Sequence, residues 1–220
     1  MDQPVMDFAT TRNWMVDGQV RPNKVTNTVI IAAMRRIARE KFLPAGQAAL
    51  AYVDIAVDLG HGRAMPQPMM TGRLLQLADP KPGQRALVIG AGAGYTAAVL
   101  AACGVIVTAL EDNAALNALA AGVPAADAGA VQRASGPLNA GWAVGGPFDL
   151  ILLDGAADVL PDALAAQLAP NGRLIGVLVE AGIGRAVHGM ASGGKLALVP
   201  LFDCNAPALP AFSRVPQFSF

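Results

Sequence analysis

The chain has 220 residues, no formal net charge and only 15% charged residues, against roughly 25% in an average soluble domain. That length suits one sizeable domain. The 54% apolar content excludes disorder, two cysteines exclude a disulfide framework, and zero net charge leaves no electrostatic footprint for nucleic acid.

The first residues, Met1, Asp2, Gln3 and Pro4, form neither a basic nor an apolar leader, which predicts a cytoplasmic protein. A helix is predicted over 27–40, with Asn27 as its cap and Val29, Ile30, Ala33, Met34 and Ile37 at helical spacing. Arg35, Arg36 and Arg39 then fall on its solvated face. Residues 50–68 carry Gly60, Gly62, Pro66 and Pro68 and read as loop with short extended pieces. His61 lies there as an ordinary loop histidine. A second helix spans 69–77, with Met69 and Met70 as core residues, and ends at Asp79 and Pro80.

An alternating pattern follows. Strands are expected near 85–89, 105–110, 130–133, 148–153 and 173–179, and helices near 95–103, 112–121 and 159–168, the last capped by Asp158. Two extended runs, 186–190 and 196–200, flank Ser192, Gly193 and Gly194 and predict a hairpin at the sheet edge, with His188 a structural residue in it. Alternating strands and helices predict an α/β fold with a doubly wound, mostly parallel, Rossmann-like sheet. The expected division is an N-terminal helical extension, 1–80, packed on a core, 81–220, in one structural domain.

Residues 86–110 contain no charge, which is long enough for a membrane span. The interior punctuation argues otherwise. A β-branched run stops at Gly90, Gly92 and Gly94, an alanine-rich helix stops at Gly104, and a second β-branched run stops at Glu111. That is a βαβ unit with both faces covered, so no membrane association is expected. Cys103 reads as core and Cys204 as a loop thiol.

Ligands of such sheets lie beyond the carboxyl ends of the strands. The turn reads Gly90, Ala91, Gly92, Ala93, Gly94, with Tyr95 where a dinucleotide fingerprint needs glycine. The spacing suits S-adenosylmethionine, which has no pyrophosphate to cradle. Ile89, Gly90, Ala91, Gly92 and Gly94 are the expected cofactor contacts, and Glu111 the acceptor for the ribose hydroxyls. Glu111 has a plainer alternative as a carboxylate at a helix start. No cluster of His, Cys, Asp or Glu has metal-ligand spacing, so no metal is expected. Ser135 and Ser192 lack the context of a nucleophile.

Seven blocks along the chain resemble the protein-L-isoaspartate O-methyltransferases. Arg12, Met15, Val16 and Gln19 follow that family's R-x-x-M-V-x-x-Q. Arg39, Glu40, Phe42 and Pro44 follow R-E-x-F-V-P, and Ala51, Tyr52 and Asp54 follow A-Y-x-D. Ala64 to Pro68 fall where T-I-S-Q-P is expected, and 86–95 where V-L-E-I-G-T-G-S-G-Y is expected. Phe148, Asp149 and Ile151, with Pro161, Gln167, Leu168 and Gly172 to Leu174, follow f-D-x-I…P…Q-L-x-x-G-G-R-L. Val199, Pro200 and Leu201 match a late V-P-L. The resemblance implies methyl transfer from S-adenosylmethionine to an isoaspartyl side-chain carboxyl in damaged protein. It also implies a protein or peptide substrate, with Gln67 and position 66 at the acceptor.

Four positions depart from that pattern. Pro66 replaces a serine that would orient the substrate carboxylate. Val88 replaces an acid that would hold the aminoacyl end of the cofactor. Pro137, after Gly136, replaces an acid that would accept from the adenine amino group. Asp154 stands where a small or hydroxyl residue is usual. A carboxylate there would repel a carboxylate acceptor and suit a hydroxyl or amine as base; a turn with Gly155 is the other role open to it. Three functions follow: isoaspartyl methyltransferase, methyltransferase of the same fold with another acceptor and Asp154 as base, or a non-catalytic binding homologue.

Overall fold

A computed structural model describes residues 7–214. Its elements are α1 (Phe8–Met15), α2 (Thr28–Arg36), the small hairpin β1 (Val57–Gly60) and β2 (Arg63–Met65), α3 (Pro68–Ala78), β3 (Arg85–Ile89), α4 (Tyr95–Ala102), β4 (Ile106–Glu111), α5 (Ala114–Ala121), α6 (Ala125–Ala128), β5 (Val131–Ser135), β6 (Phe148–Ala157), β7 (Leu168–Glu180), β8 (Ile183–Ser192) and β9 (Lys195–Asp203). Seven strands form one sheet in the order β5-β4-β3-β6-β7-β8-β9. The pairs among β5, β4, β3, β6 and β7 are parallel, and β8 and β9 join antiparallel. The mostly parallel doubly wound sheet and the terminal hairpin are as the sequence predicts. The hairpin is longer than expected, because Gly193 and Gly194 (φ +57° and +79°) turn it tightly and pairing runs on to Arg185 and Asp203.

The central strands are apolar on both faces because both faces are covered. Ala86 and Val88 point into a core shared with Met15, Ile30, Met34, Leu74 and Val99. Leu87 and Ile89 point into a second core with Leu110, Leu138, Ile151 and Phe212. The N-terminal segment is tied on by polar contacts as well. Arg12 Nε donates to the Tyr52 hydroxyl at 2.9 Å and Arg12 Nη2 to Glu40 at 3.2 Å, while Tyr52 donates to Glu40. Gln19 Nε2 donates to the Tyr52 carbonyl at 2.8 Å. Three of the sequence blocks thus meet in one buried cluster.

Three expectations need correction. The helix starting at Asn27 ends at Arg36, not near 40, because Ile37 turns extended (φ −76°, ψ 123°). That turn carries Arg39 inward: Arg35 and Arg36 keep contact with solvent, but Arg39 is fully buried. Its Nε donates to the Ala51 carbonyl and its Nη2 to the Pro66 carbonyl at 2.6 Å, and its guanidinium lies 4.7 Å from the centre of the Tyr95 ring. The helix expected over 159–168 is a short 3-10 turn, Asp162–Gln167. Asp158 is not its cap; its carboxylate accepts from the Arg214 amide, because the segment 207–214 returns over β6.

Candidate active site

The strand order reverses about β3, whose neighbours are β4 on one side and β6 on the other. A cleft therefore opens beyond the carboxyl ends of β3, β4 and β6. Its floor is the glycine turn. Gly90, Gly92 and Gly94 all have positive φ (72°, 56° and 95°), a conformation costly for any residue with a Cβ. Hydrogen bonds from the Gly90 and Ala91 amides to the Leu110 carbonyl fix the turn against β4.

Glu111 ends β4, is 2% exposed, and faces the turn. Its Oε2 accepts from the Gly92 amide at 2.7 Å. Its Oε1 accepts from the Asp112 and Asn113 amides at 3.1 Å. The cap of α5 is Asn113, not Glu111 or Asp112, because the Asn113 side chain accepts from Ala115 and Leu116. Glu111 is thus a cleft residue, and burial pushes its carboxyl above the ordinary glutamate range.

The structure also brings in a residue that sequence reasoning missed. Arg63, at the start of β2, is 6% exposed. Its Nη1 donates to Glu111 Oε1 at 2.9 Å and its Nη2 to the Gly90 carbonyl at 2.8 Å. The only sequence signal was a cation at the foot of the Ala64–Pro68 block. Its neighbour His61 (φ 57°) is exposed at the hairpin tip. His188 lies in β8.

Asp154 sits where β6 loses register with β7, between Leu152 and Ala156. Its Oδ1 accepts from the Thr96 hydroxyl at 2.8 Å. Full burial raises its pKa to about 6, against the pull of Thr96, Arg63 and Arg39. It shares the cleft wall with the glycine turn and Tyr95. Pro66 and Gln67 lie just before α3: Pro66 is buried, and Gln67 is half-buried with its carbonyl accepting from Thr71. Gly136 and Pro137 follow β5 and precede the turn Leu138–Ala140. Trp142 lies against Gly136, with 3.4 Å between its ring and a Cβ placed there. Val88 is buried in the middle of the sheet, paired with Ala109 and Leu152.

Among the described residues the glycine turn is closely covered. The space bounded by Leu59, Met65, the glycine turn, Tyr95 and Asp154 is about 10 Å³, room for about one water, whereas small-molecule sites begin near ~300 Å³. A Cβ placed on Gly90 would lie 2.7 Å from Leu209 Cδ2 and 2.9 Å from Arg63 Nη2. One placed on Gly92 would lie 3.0 Å from Leu59 Cδ1. The room left by these glycines is occupied by the chain's own side chains.

The two cysteines are free. Burial raises the Cys103 thiol to about 11 and also raises Cys204, so both are poor nucleophiles. Among the described residues no group of His, Cys, Asp or Glu could hold a metal, and no helix is long and apolar enough to cross a membrane.

A seven-stranded sheet with the last two strands as an antiparallel hairpin, a glycine turn after the third strand and an acid ending the fourth define a methyltransferase of the Rossmann-like class. Solved structures agree on the fold. A putative protein-L-isoaspartate O-methyltransferase from Plasmodium falciparum, in complex with S-adenosyl-L-homocysteine, superposes with a TM-score of 0.77 at 21% identity, covering 91% of this chain and 98% of that one. Another protein-L-isoaspartate O-methyltransferase gives 0.78 at 22% identity, covering 93% and 67%. The sequence narrows the class. The family described as protein-L-isoaspartate(D-aspartate) O-methyltransferase matches residues 11–185. The enzyme of that name from Methylorubrum extorquens is 40% identical over 79% of this chain and 76% of its own length. The one from Gloeobacter violaceus is 38% identical over 73% and 79%. The chain belongs to the protein-L-isoaspartate O-methyltransferase family.

Proposed function

We propose that the chain transfers a methyl group from S-adenosylmethionine to the side-chain carboxyl of isoaspartyl residues in proteins or peptides. The observation that carries this reading is the family match over 11–185, which includes the glycine turn and Glu111. In this reading Gly90, Ala91, Gly92, Gly94 and Glu111 are the cofactor-facing residues, Ile89 contributes only its backbone at the start of the turn because its side chain lies in the core, and Gly136 and Pro137 are at the adenine end. Gln67 and the backbone of Pro66 face the acceptor, and the bond from Arg39 to the Pro66 carbonyl holds that segment in place. A carboxylate acceptor is already a nucleophile at neutral pH, so the work of the protein is alignment. Free thiols at Cys103 and Cys204 support a reducing compartment, and the cytoplasm is the proposed location. The test is methyl incorporation into an isoaspartyl peptide beside an active relative. Incorporation above the aspartyl control is expected; none at matched enzyme concentration overturns the reading.

One observation favours a different acceptor within the same class. Asp154 is a buried carboxyl on the cleft wall with its pKa raised to about 6. Above that pH it is an anion, which opposes a carboxylate acceptor and suits a hydroxyl or amine as base. Activity on such an acceptor would fall as pH drops through 6 and vanish in Asp154→Asn. Activity on an isoaspartyl carboxyl would survive that substitution.

A further inference from the structure

The cleft is closed from two sides by segments far apart in the chain. From one side, β2 delivers Arg63. Oε1 of Glu111 is crowded by Arg63 and by the Asp112 and Asn113 amides, while Oε2 accepts from the Gly92 amide alone. With two lone pairs on each oxygen, a ribose diol that needs both oxygens finds Oε1 taken while Arg63 stays. The second arm of the guanidinium holds the Gly90 carbonyl, so the fork spans the ends of β3 and β4.

From the other side comes a strap that follows β9. The Ala156 amide donates to the Pro207 carbonyl at 2.7 Å, and the Leu209 amide to the Ala156 carbonyl at 2.8 Å. The Asp158 and Val159 amides both donate to the Phe212 carbonyl. Leu209 and Phe212 are 2% and 3% exposed. Leu209 rests over Gly90 and Gly155, and it and Arg63 Nη2 both approach the same point above Gly90. The strap lies beyond the segment that the family matches.

We propose that Arg63, flanked by Leu209 of this strap, is an internal competitor for the cofactor's place on Glu111, and so determines cofactor affinity. The proposal rests on the methyltransferase reading and deepens it. A ribose diol held by both oxygens of Glu111 competes with Arg63 for Oε1, so full engagement of the acid requires the fork to leave. Apparent affinity is then the intrinsic affinity multiplied by the fraction of molecules in which it has left. A closed form favoured ten- to a hundredfold weakens binding by the same factor.

The test is calorimetric titration of the full-length protein with S-adenosylhomocysteine, up to millimolar, for wild type, Arg63→Gln and Leu209→Ala. Arg63→Gln keeps three amide donors on Glu111, so the carboxylate is not stranded. Leu209→Ala frees the same volume from the other side, so the test survives if one variant fails to fold. Both variants are expected to lower the melting temperature and yet bind at least about tenfold tighter; Arg185→Ala, in an exposed pair with Asp203, should bind as wild type does. A merely structural Arg63 would lose stability and gain no affinity. Wild type and variants binding equally, or Arg63→Gln binding more weakly, overturns the competitor and leaves the methyltransferase reading standing. No binding by any of the three overturns both.

Discussion

The floor of the cleft and its cover are built differently. The floor is one consecutive segment, 85–111: a strand, a glycine turn, a helix and a strand ending in an acid. The cover is Leu59 and Arg63 from an early hairpin and Leu209 from the strap after β9. The floor needs only local conformation, because positive φ at three glycines and a buried βαβ unit shape it. The cover needs the tertiary fold to bring three distant side chains over Gly90 and Gly92. The lesson is that a family-like floor gives the chemistry of a site, while the cover decides whether a ligand can reach it.

Four substitutions sharpen that contrast. Glu111→Ala is expected to cost most, because it strands Arg63 beside Gly90 with 6% exposure; breaking a buried pair from one side costs about 3–5 kcal/mol, read as a lowered urea midpoint. Leu209→Ala removes a 2% exposed leucine from the cover and should cost about 2–4 kcal/mol in the same assay. An unchanged midpoint would mean that the strap is not packed on the floor as described.

Asp154→Asn should act in the opposite direction. The folded pKa of Asp154 is raised to about 6 from 3.8, so the folded state holds a proton that the unfolded state has released. Its contribution is fully present below about pH 4 and is lost as pH rises through 6, amounting to about 3 kcal/mol. Asparagine keeps a partner for Thr96 without the charge. The variant should be more stable than wild type above pH 6 and should flatten the fall between pH 4 and 6, followed by melting temperature against pH. A parallel shift at every pH would remove Asp154 as the source. The smallest effect is expected for Arg185→Ala, within about 0.5 kcal/mol, because its partner Asp203 is exposed and the pair is remote from both floor and cover. A large loss there would show that the terminal hairpin, not the cleft, governs stability.

How much of this was legible depended on the range of the interactions. The strands β3 to β7, the glycine turn and the cap at Asn27 could be read directly, because apolar runs and turn residues act on their immediate neighbours. Glu111 was legible as a cleft acid because it ends the strand next to the turn. Arg39 was misread because its burial follows from one extended residue, Ile37, that helical periodicity does not register. The missing helix over 159–168 has a similar origin: the returning strap takes the Asp158 amide and, through Arg214, its carboxylate.

The class of fold, the position of the glycine turn, the acid at the end of β4 and the family all follow from local pattern or from blocks in order. That Arg63 lies on Glu111, that Asp154 is buried against Thr96 and that Leu209 lies over Gly90 follow from the packed fold alone. Those outcomes are set by which side chains meet across the sheet end, and by the low dielectric there, which holds Glu111 to its nearest cation and raises the pKa of Glu111 and Asp154 alike.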